Sequence, residues 1–153
     1  MSKLRSADIV GGAGGLALLI TLFLPWYTLD VAGFGLHVTA TAWQAFSVSD
    51  ILLALFALPA IALPVVTATA AGPAKPVAFT VLGSVGSILA LLLVLYHLLN
   101  QPGPNDVVGL RYGAWLGLLA ALVMLGGCWG AMRDERTPGA APPTIPRRPV
   151  PPA

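Results

Sequence analysis

The sequence predicts an all-α membrane protein, a four-transmembrane-helix antiparallel bundle with a small β-hairpin in its first outer loop. Three observations carry this prediction. The run from Val77 to Leu99 contains no Asp, Glu, Lys or Arg, and a helix of that length would be roughly 35 Å long, enough to cross the hydrocarbon of a bilayer. Three more apolar stretches of similar character accompany it. Of the 153 residues, 57% are hydrophobic and 9% charged. An ordinary soluble domain is about 25% charged, so this chain has too few polar side chains to coat a globule, and lipid must cover much of it.

Residues 1–8 form a short N-terminal segment carrying Lys3 and Arg5, after which an apolar run predicts span one over residues 9–26. A secretory signal peptide begins in the same way, but the nearest small-x-small site, Ala40-Thr41-Ala42, lies beyond a polar segment, so the span is read as uncleaved. Gly12-Ala13-Gly14-Gly15-Leu16-Ala17 matches the dinucleotide-binding pattern by chance: only a charged tail precedes it, and the helix is apolar all round. Gly11 and Gly15, four apart, are instead expected to let helices approach closely.

Pro25 to Ser49 forms the long first outer loop. Trp26 and Tyr27 are expected to anchor in the headgroup layer, where amphipathic rings are favoured. Thr28–Val31 and Leu36–Thr41 are β-prone and flank a turn at residues 32–35, which predicts the hairpin. Trp43 to Phe46 reads as a short interfacial helical turn, with the Trp43 ring resting on the bilayer. Ser47, Ser49 and Asp50 supply N-cap chemistry for span two, residues 50–71. Pro59 and Pro64 each remove a backbone donor inside that span and predict a kink.

A tight connection bearing Lys75 leads to span three, residues 77–99, where Gly83 with Ser87 provides another pair of small residues four apart. Tyr96 and His97 fall near its end, with His97 expected as a hydrogen-bonded boundary residue. Residues 100–111 are rich in Pro, Gly, Asn and Asp and read as a loop. Span four, residues 112–132, carries Tyr112 and Trp115 at one end and Trp129 at the other, the pattern of two aromatic belts. Gly113 with Gly117 and Gly126 with Gly130 are G-x-x-x-G pairs expected at helix contacts.

Residues 133–153 form a proline-rich tail, with seven prolines in the last sixteen positions, and are expected to be disordered. The tail contains Pro143-Thr144-Ile145-Pro146, the spacing of a polyproline docking peptide, with a charged spacer as the plainer reading.

Four spans place both termini on one side. Lys3, Arg5, Lys75, Arg133, Arg136, Arg147 and Arg148 lie there, against Arg111 alone on the other side. The positive-inside rule therefore predicts a multi-pass plasma (inner) membrane protein with both termini cytoplasmic. The net charge of +2 and pI near 9.0 do not indicate nucleic acid, because the basic residues are not gathered in an aromatic-interleaved patch. The single cysteine, Cys128, allows no internal disulfide and has no metal-ligand spacing around it.

Phe23-Leu24-Pro25-Trp26-Tyr27, Ala42-Trp43-Gln44-Ala45-Phe46 before Asp50, and Tyr112-Gly113-Ala114-Trp115-Leu116 together resemble small four-helix membrane proteins of unknown function from high-GC Gram-positive bacteria. The resemblance covers roughly residues 5–133 and implies an inner-membrane setting without supplying an activity. The four spans and the Trp-bearing outer loop are also faintly similar to claudin-like tetraspan proteins, but this chain lacks the paired outer-loop cysteines of that family.

No predicted span carries an acidic or basic residue at its centre, where buried charge is costly and usually functional. The expectation is a non-enzymatic structural or accessory subunit, with the lipid bilayer and a membrane-protein partner or further copies of itself as contacts, and no catalytic residue, cofactor, metal or nucleic acid. The alternative is a component of an oligomeric transporter or channel that uses the proline-bearing second span. An outer-surface enzyme would have to draw on Asp30, His37 and Asp50, which are scattered in sequence and do not fill the roles of nucleophile, base and oxyanion donor.

Overall fold

The computed structural model describes residues 4–31, 36–72, 74–103 and 108–134. In chain order they form α1 (Ser6–Thr21), β1 (Pro25–Val31), β2 (Leu36–Thr41), α2 (Ala42–Ala45), α3 (Ser49–Thr69), α4 (Ala74–Leu99), β3 (Val108–Leu110) and α5 (Tyr112–Arg133). The predicted proline-rich tail and the turn at residues 32–35 lie outside the described residues.

The chain is mostly helical, as an apolar run must be if its backbone is to satisfy its own hydrogen bonds in lipid. α3, α4 and α5, with 21, 26 and 22 residues, are each long and apolar enough to cross a membrane. Span one is shorter than expected. Its helix, α1, has 16 residues and a length of only about 24 Å. It stops at Thr21 because the amides of Phe23 and Leu24 fold back onto the carbonyls of Ile20 and Thr21, each at 3.1 Å, and Pro25 then opens a strand. The predicted four-span bundle is therefore seen as five helices among the described residues: three of spanning length, the shorter α1, and the single turn α2.

The four longer helices pack in a closed cycle, α1 against α5 and α3, and α4 against α3 and α5. Small residues make the contacts. A Cβ built on Gly14 would overlap the Met124 backbone, and one on Gly127 would overlap the Gly11 backbone, so α1 and α5 touch main chain to main chain. A Cβ on Gly15 would come within 3.1 Å of the Ala57 carbonyl, and one on Gly86 within 2.8 Å of the Phe56 carbonyl. The outward faces are strongly apolar, with Ile51, Leu55, Leu58, Val65, Val81, Leu92, Leu119 and Leu122 all exposed. Apolar rims around an interior of glycine, alanine and serine are what a bilayer solvent selects.

α3 runs through both prolines without interruption. Pro64 has a partner: a Cβ on Gly12 would fall 2.8 Å from the Pro64 ring, so the ring occupies the space that a side chain would take. The start of α3 corrects the expected cap. Neither Ser47 nor Ser49 caps it; the N-cap is Val48, with no side-chain hydrogen bond, and the Asp50 carboxylate accepts the Ile51 amide at 2.8 Å.

At the termini end, Asp8 is fully buried at the third position of α1. Its carboxylate accepts hydrogen bonds from the Arg5 backbone N–H (3.2 Å), Nε (3.1 Å) and Nη2 (3.0 Å). Arg5 Nη1 also donates to the Asp134 carbonyl at 3.2 Å, tying the start of α1 to the end of α5. A buried carboxylate is tolerated here because its charge is paired and lies at a helix N-terminus.

The predicted hairpin is part of a larger sheet of order β2-β1-β3, antiparallel at both junctions. The third strand comes from the segment read as a loop. It is held by the pairs Tyr27↔Leu110, Thr28↔Gly109 and Leu29↔Val108, so the sheet joins the segment after α1 to the segment after α4.

Candidate functional site

The sheet end of the bundle is where side chains from the most elements converge. β1 begins with a register irregularity: Pro25 pairs with Thr41 and Tyr27 with Ala40, so two steps on β1 face one on β2. Such a bulge breaks the alternation of faces. Trp26 and Tyr27, adjacent in sequence, are consequently both buried.

Their expected role as headgroup anchors is thereby corrected: protein, not lipid, surrounds both rings. The Trp26 indole N–H donates to the Thr21 carbonyl at 2.7 Å, sharing with the Leu24 amide an acceptor at the end of α1. Its ring lies over α5, where a Cβ on Gly117 would be 2.6 Å from Cζ2 and one on Gly113 would be 2.5 Å from the Pro25 carbonyl. Gly113 and Gly117 therefore seat the first residues of β1, with Gly117 also bordering Thr21 of α1. The Trp26 carbonyl accepts the Arg111 amide at 2.8 Å, joining the bulge to the start of α5.

Phe46, just after α2, meets Trp26 edge-on at 5.4 Å and Tyr27 edge-on at 5.9 Å, and stacks on His97 with ring centroids 3.8 Å apart. The Tyr27 hydroxyl donates to the His97 carbonyl at 2.8 Å, near the end of α4. His97 is buried, and its Nε2 has no hydrogen-bond partner within the described protein. The cluster of Trp26, Tyr27, Phe46 and His97 thus holds together the ends of α1, α3, α4 and α5.

Burial pushes the Tyr27 phenol up to about 12, from a usual value of about 10. The folded state keeps this proton longer than the unfolded chain, so the stabilisation is complete below pH about 10 and is lost as pH rises towards about 12. Alkaline titration is expected to show one late tyrosinate step near pH 12, and the Tyr27→Phe variant to lack it. Tyr27→Phe is also expected to lose about 0.5–1.5 kcal/mol of stability at neutral pH with the hydrogen bond to His97. A tyrosinate titration unchanged by the substitution would refute this placement of the phenol.

The remaining predicted residues are dispersed. Trp43 is partly exposed and lies against Phe23, ring centroids 5.6 Å apart. Tyr112, Trp115 and Trp129 are exposed on α5. A Cβ built on Gly11 would lie 3.1 Å from Cys128 and one on Gly83 3.0 Å from the Cys128 sulfur, and Ser87 is buried with its hydroxyl donating to the Ser84 carbonyl at 2.8 Å. Gly126 is corrected as a packing residue: an added Cβ would meet nothing within 4 Å, and at Gly130 it would meet only the Ala7 Cβ at 3.6 Å. The tight α1–α5 crossing uses Gly14 and Gly127.

Among the candidate acid–base groups, Asp30 and His37 are cross-strand partners in the β1–β2 register. Asp50 is buried at the start of α3. The described residues contain no group of three or more His, Cys, Asp or Glu side chains arranged to hold a metal ion. An apolar groove of about 500 Å³ on the bundle surface is lined by α3 residues from Leu55 to Val66 and by Phe79. Comparison with protein-family models, curated proteins and solved structures finds no match for this chain.

Proposed function

We propose that this protein is a non-enzymatic subunit of a membrane assembly, spanning the plasma membrane four times with both termini in the cytoplasm. In this reading α1 is the fourth span, and its short length is completed by the turns at residues 22–24. The sheet and the aromatic cluster then form an outward-facing platform. The resemblance to small tetraspan proteins of high-GC Gram-positive bacteria favours the same setting.

The observation that carries the proposal is the division of surfaces. Helix interiors are filled by main-chain contacts at glycines, helix exteriors present long apolar side chains, and the end of the bundle is sealed by four rings. Pro64 supports a scaffold over a transport component, because its ring is committed to the Gly12 notch.

Purification in a mild detergent, followed by mass measurement and identification of co-purifying chains, tests this reading. A defined oligomer or a stoichiometric partner is expected. A lone monomer would overturn it, and solute flux through reconstituted vesicles above that of empty ones would replace it with the transport alternative.

A further inference from the structure

Glycine is costly in a helix interior, and in this protein Gly14 and Gly127 are explained by helices that touch main chain to main chain. Gly126 has no such explanation. It is exposed, well inside α5, and an added Cβ would meet nothing within 4 Å. Its missing side chain opens a notch in an apolar groove between α4 and α5, about 450 Å³ in volume and lined by Ile88, Leu122, Leu125, Gly126 and Trp129.

The groove has a direction and a length. Leu122, Gly126, Trp129 and Arg133 follow one another at helical spacing and share one face of α5. The rise from Leu122 to Arg133 is about 16 Å, close to half of a hydrocarbon core roughly 30 Å thick. The stripe therefore matches the depth of a single leaflet.

It also ends in positive charge. A Cβ on Gly83, early in α4, would touch the Cys128 sulfur, late in α5, so α4 begins beside the end of α5. Lys75 in the first turn of α4 and Arg133 in the last turn of α5 are both exposed. Each helix that walls the groove thus carries a cation at the same end. Of the acidic residues described there, Asp8 is buried and bonded to Arg5, and Asp134 lies past the last residue of α5, its carbonyl accepting Arg5 Nη1. Trp129 stands one turn inside Arg133, at the depth where an amphipathic ring is favoured.

We propose that this groove is the seat of one anionic phospholipid, an acyl chain lying along Leu122, Gly126 and Trp129 and the phosphate held by Arg133 and Lys75. An acyl chain supplies the apolar length, and the headgroup supplies the charge that complements the two cations. Basic sites between helices at the cytoplasmic face suit such headgroups, because that leaflet is the negatively charged one. The inference rests on the membrane-spanning part of the function proposed above and is independent of the assembly part.

The test uses the full-length protein in a mild detergent, titrated with phosphatidylglycerol and phosphatidylcholine of identical acyl chains, with bound lipids counted by native mass spectrometry. One phosphatidylglycerol is expected to bind in preference to phosphatidylcholine, by about tenfold. Arg133→Gln combined with Lys75→Gln is expected to bring that preference close to one. Gly126→Leu fills the notch and is expected to weaken the first phosphatidylglycerol by about tenfold, with helix content unchanged. Ala17→Leu, at an exposed position on α1, is the control and is expected to change neither.

Equal binding of the two lipids overturns the proposal. So does a preference that both the charge variant and Gly126→Leu leave intact, which would place the lipid elsewhere on the surface, or a loss as large in Ala17→Leu, which would mean an unspecific lipid belt. A carbonate wash of native membranes separates these failures from that of the membrane reading. Protein retained by the membrane leaves that reading standing, and protein released by the wash ends both.

Discussion

Replacing Trp26 with alanine is expected to lower the stability of the fold by about 3–5 kcal/mol, the usual cost of emptying a buried aromatic site. The ring is fully buried, its indole satisfies the Thr21 carbonyl, and Phe46 packs on it edge-on. Trp26→Phe separates these contributions: it keeps most of the packing and removes one of the two donors to the Thr21 carbonyl, which retains the Leu24 amide, with an expected loss of about 0.5–1.5 kcal/mol.

Gly117 gives a sharper version of the same experiment. A Cβ there would lie 2.6 Å from the Trp26 ring, so Gly117→Ala is expected to destabilise the wild type. In the Trp26→Ala background the methyl group has free space, and its effect should fall to near zero or reverse. Equilibrium unfolding in mixed micelles, followed by circular dichroism, measures all four corners of the cycle. Additive effects would mean that the two residues do not touch.

Gly127→Leu is the second large expected effect. Its added side chain would have to displace the Gly11 backbone, so α1 and α5 must separate along their crossing, at a cost of about 1–3 kcal/mol or more. Gly126→Leu makes the identical chemical change one residue earlier, where an added Cβ meets nothing. It is expected to stay within about 0.5 kcal/mol of wild type. Equal losses for the two variants would show that the crossing is placed wrongly on α5.

That pair of glycines also shows what the sequence could and could not reveal. Apolar length and missing charge were enough to locate α3, α4 and α5, because lipid leaves a chain of that composition one way to satisfy its backbone. Spacing by four could not choose the contact face. It favoured Gly126 with Gly130, while the interface uses Gly127, and the run Gly11, Gly12, Gly14 and Gly15 presents small residues around most of a helical turn.

Trp26 and Tyr27 were misread for a related reason. Aromatic residues at the end of an apolar run look the same whether their rings face headgroups or fold back under a sheet. The deciding feature is the bulge between Pro25 and Tyr27, which depends on pairing with residues that lie 13 to 16 positions further along in β2 or more than 80 positions away in β3. The three residues of β3 were illegible for want of length, since Val108-Gly109-Leu110 carries no periodicity, and without β3 the joining of the segments after α1 and α4 could not be foreseen. The aromatic cluster was half visible: Phe46 and His97 could be named, but their stacking requires α4 and the α2–α3 junction to meet.

Because β1 needs both β2 and β3, its order of completion during synthesis follows from the chain itself. β2 leaves the ribosome almost at once, whereas β3 arrives only after α3 and α4 have been threaded into the lipid. Until then one flank of β1 has no mate, and the Trp26 carbonyl lacks the Arg111 amide. Closure of the sheet therefore becomes possible only once α3 and α4 have been made, and before α5 has been. A nascent chain stalled before residue 108 would carry β1 paired on one side only.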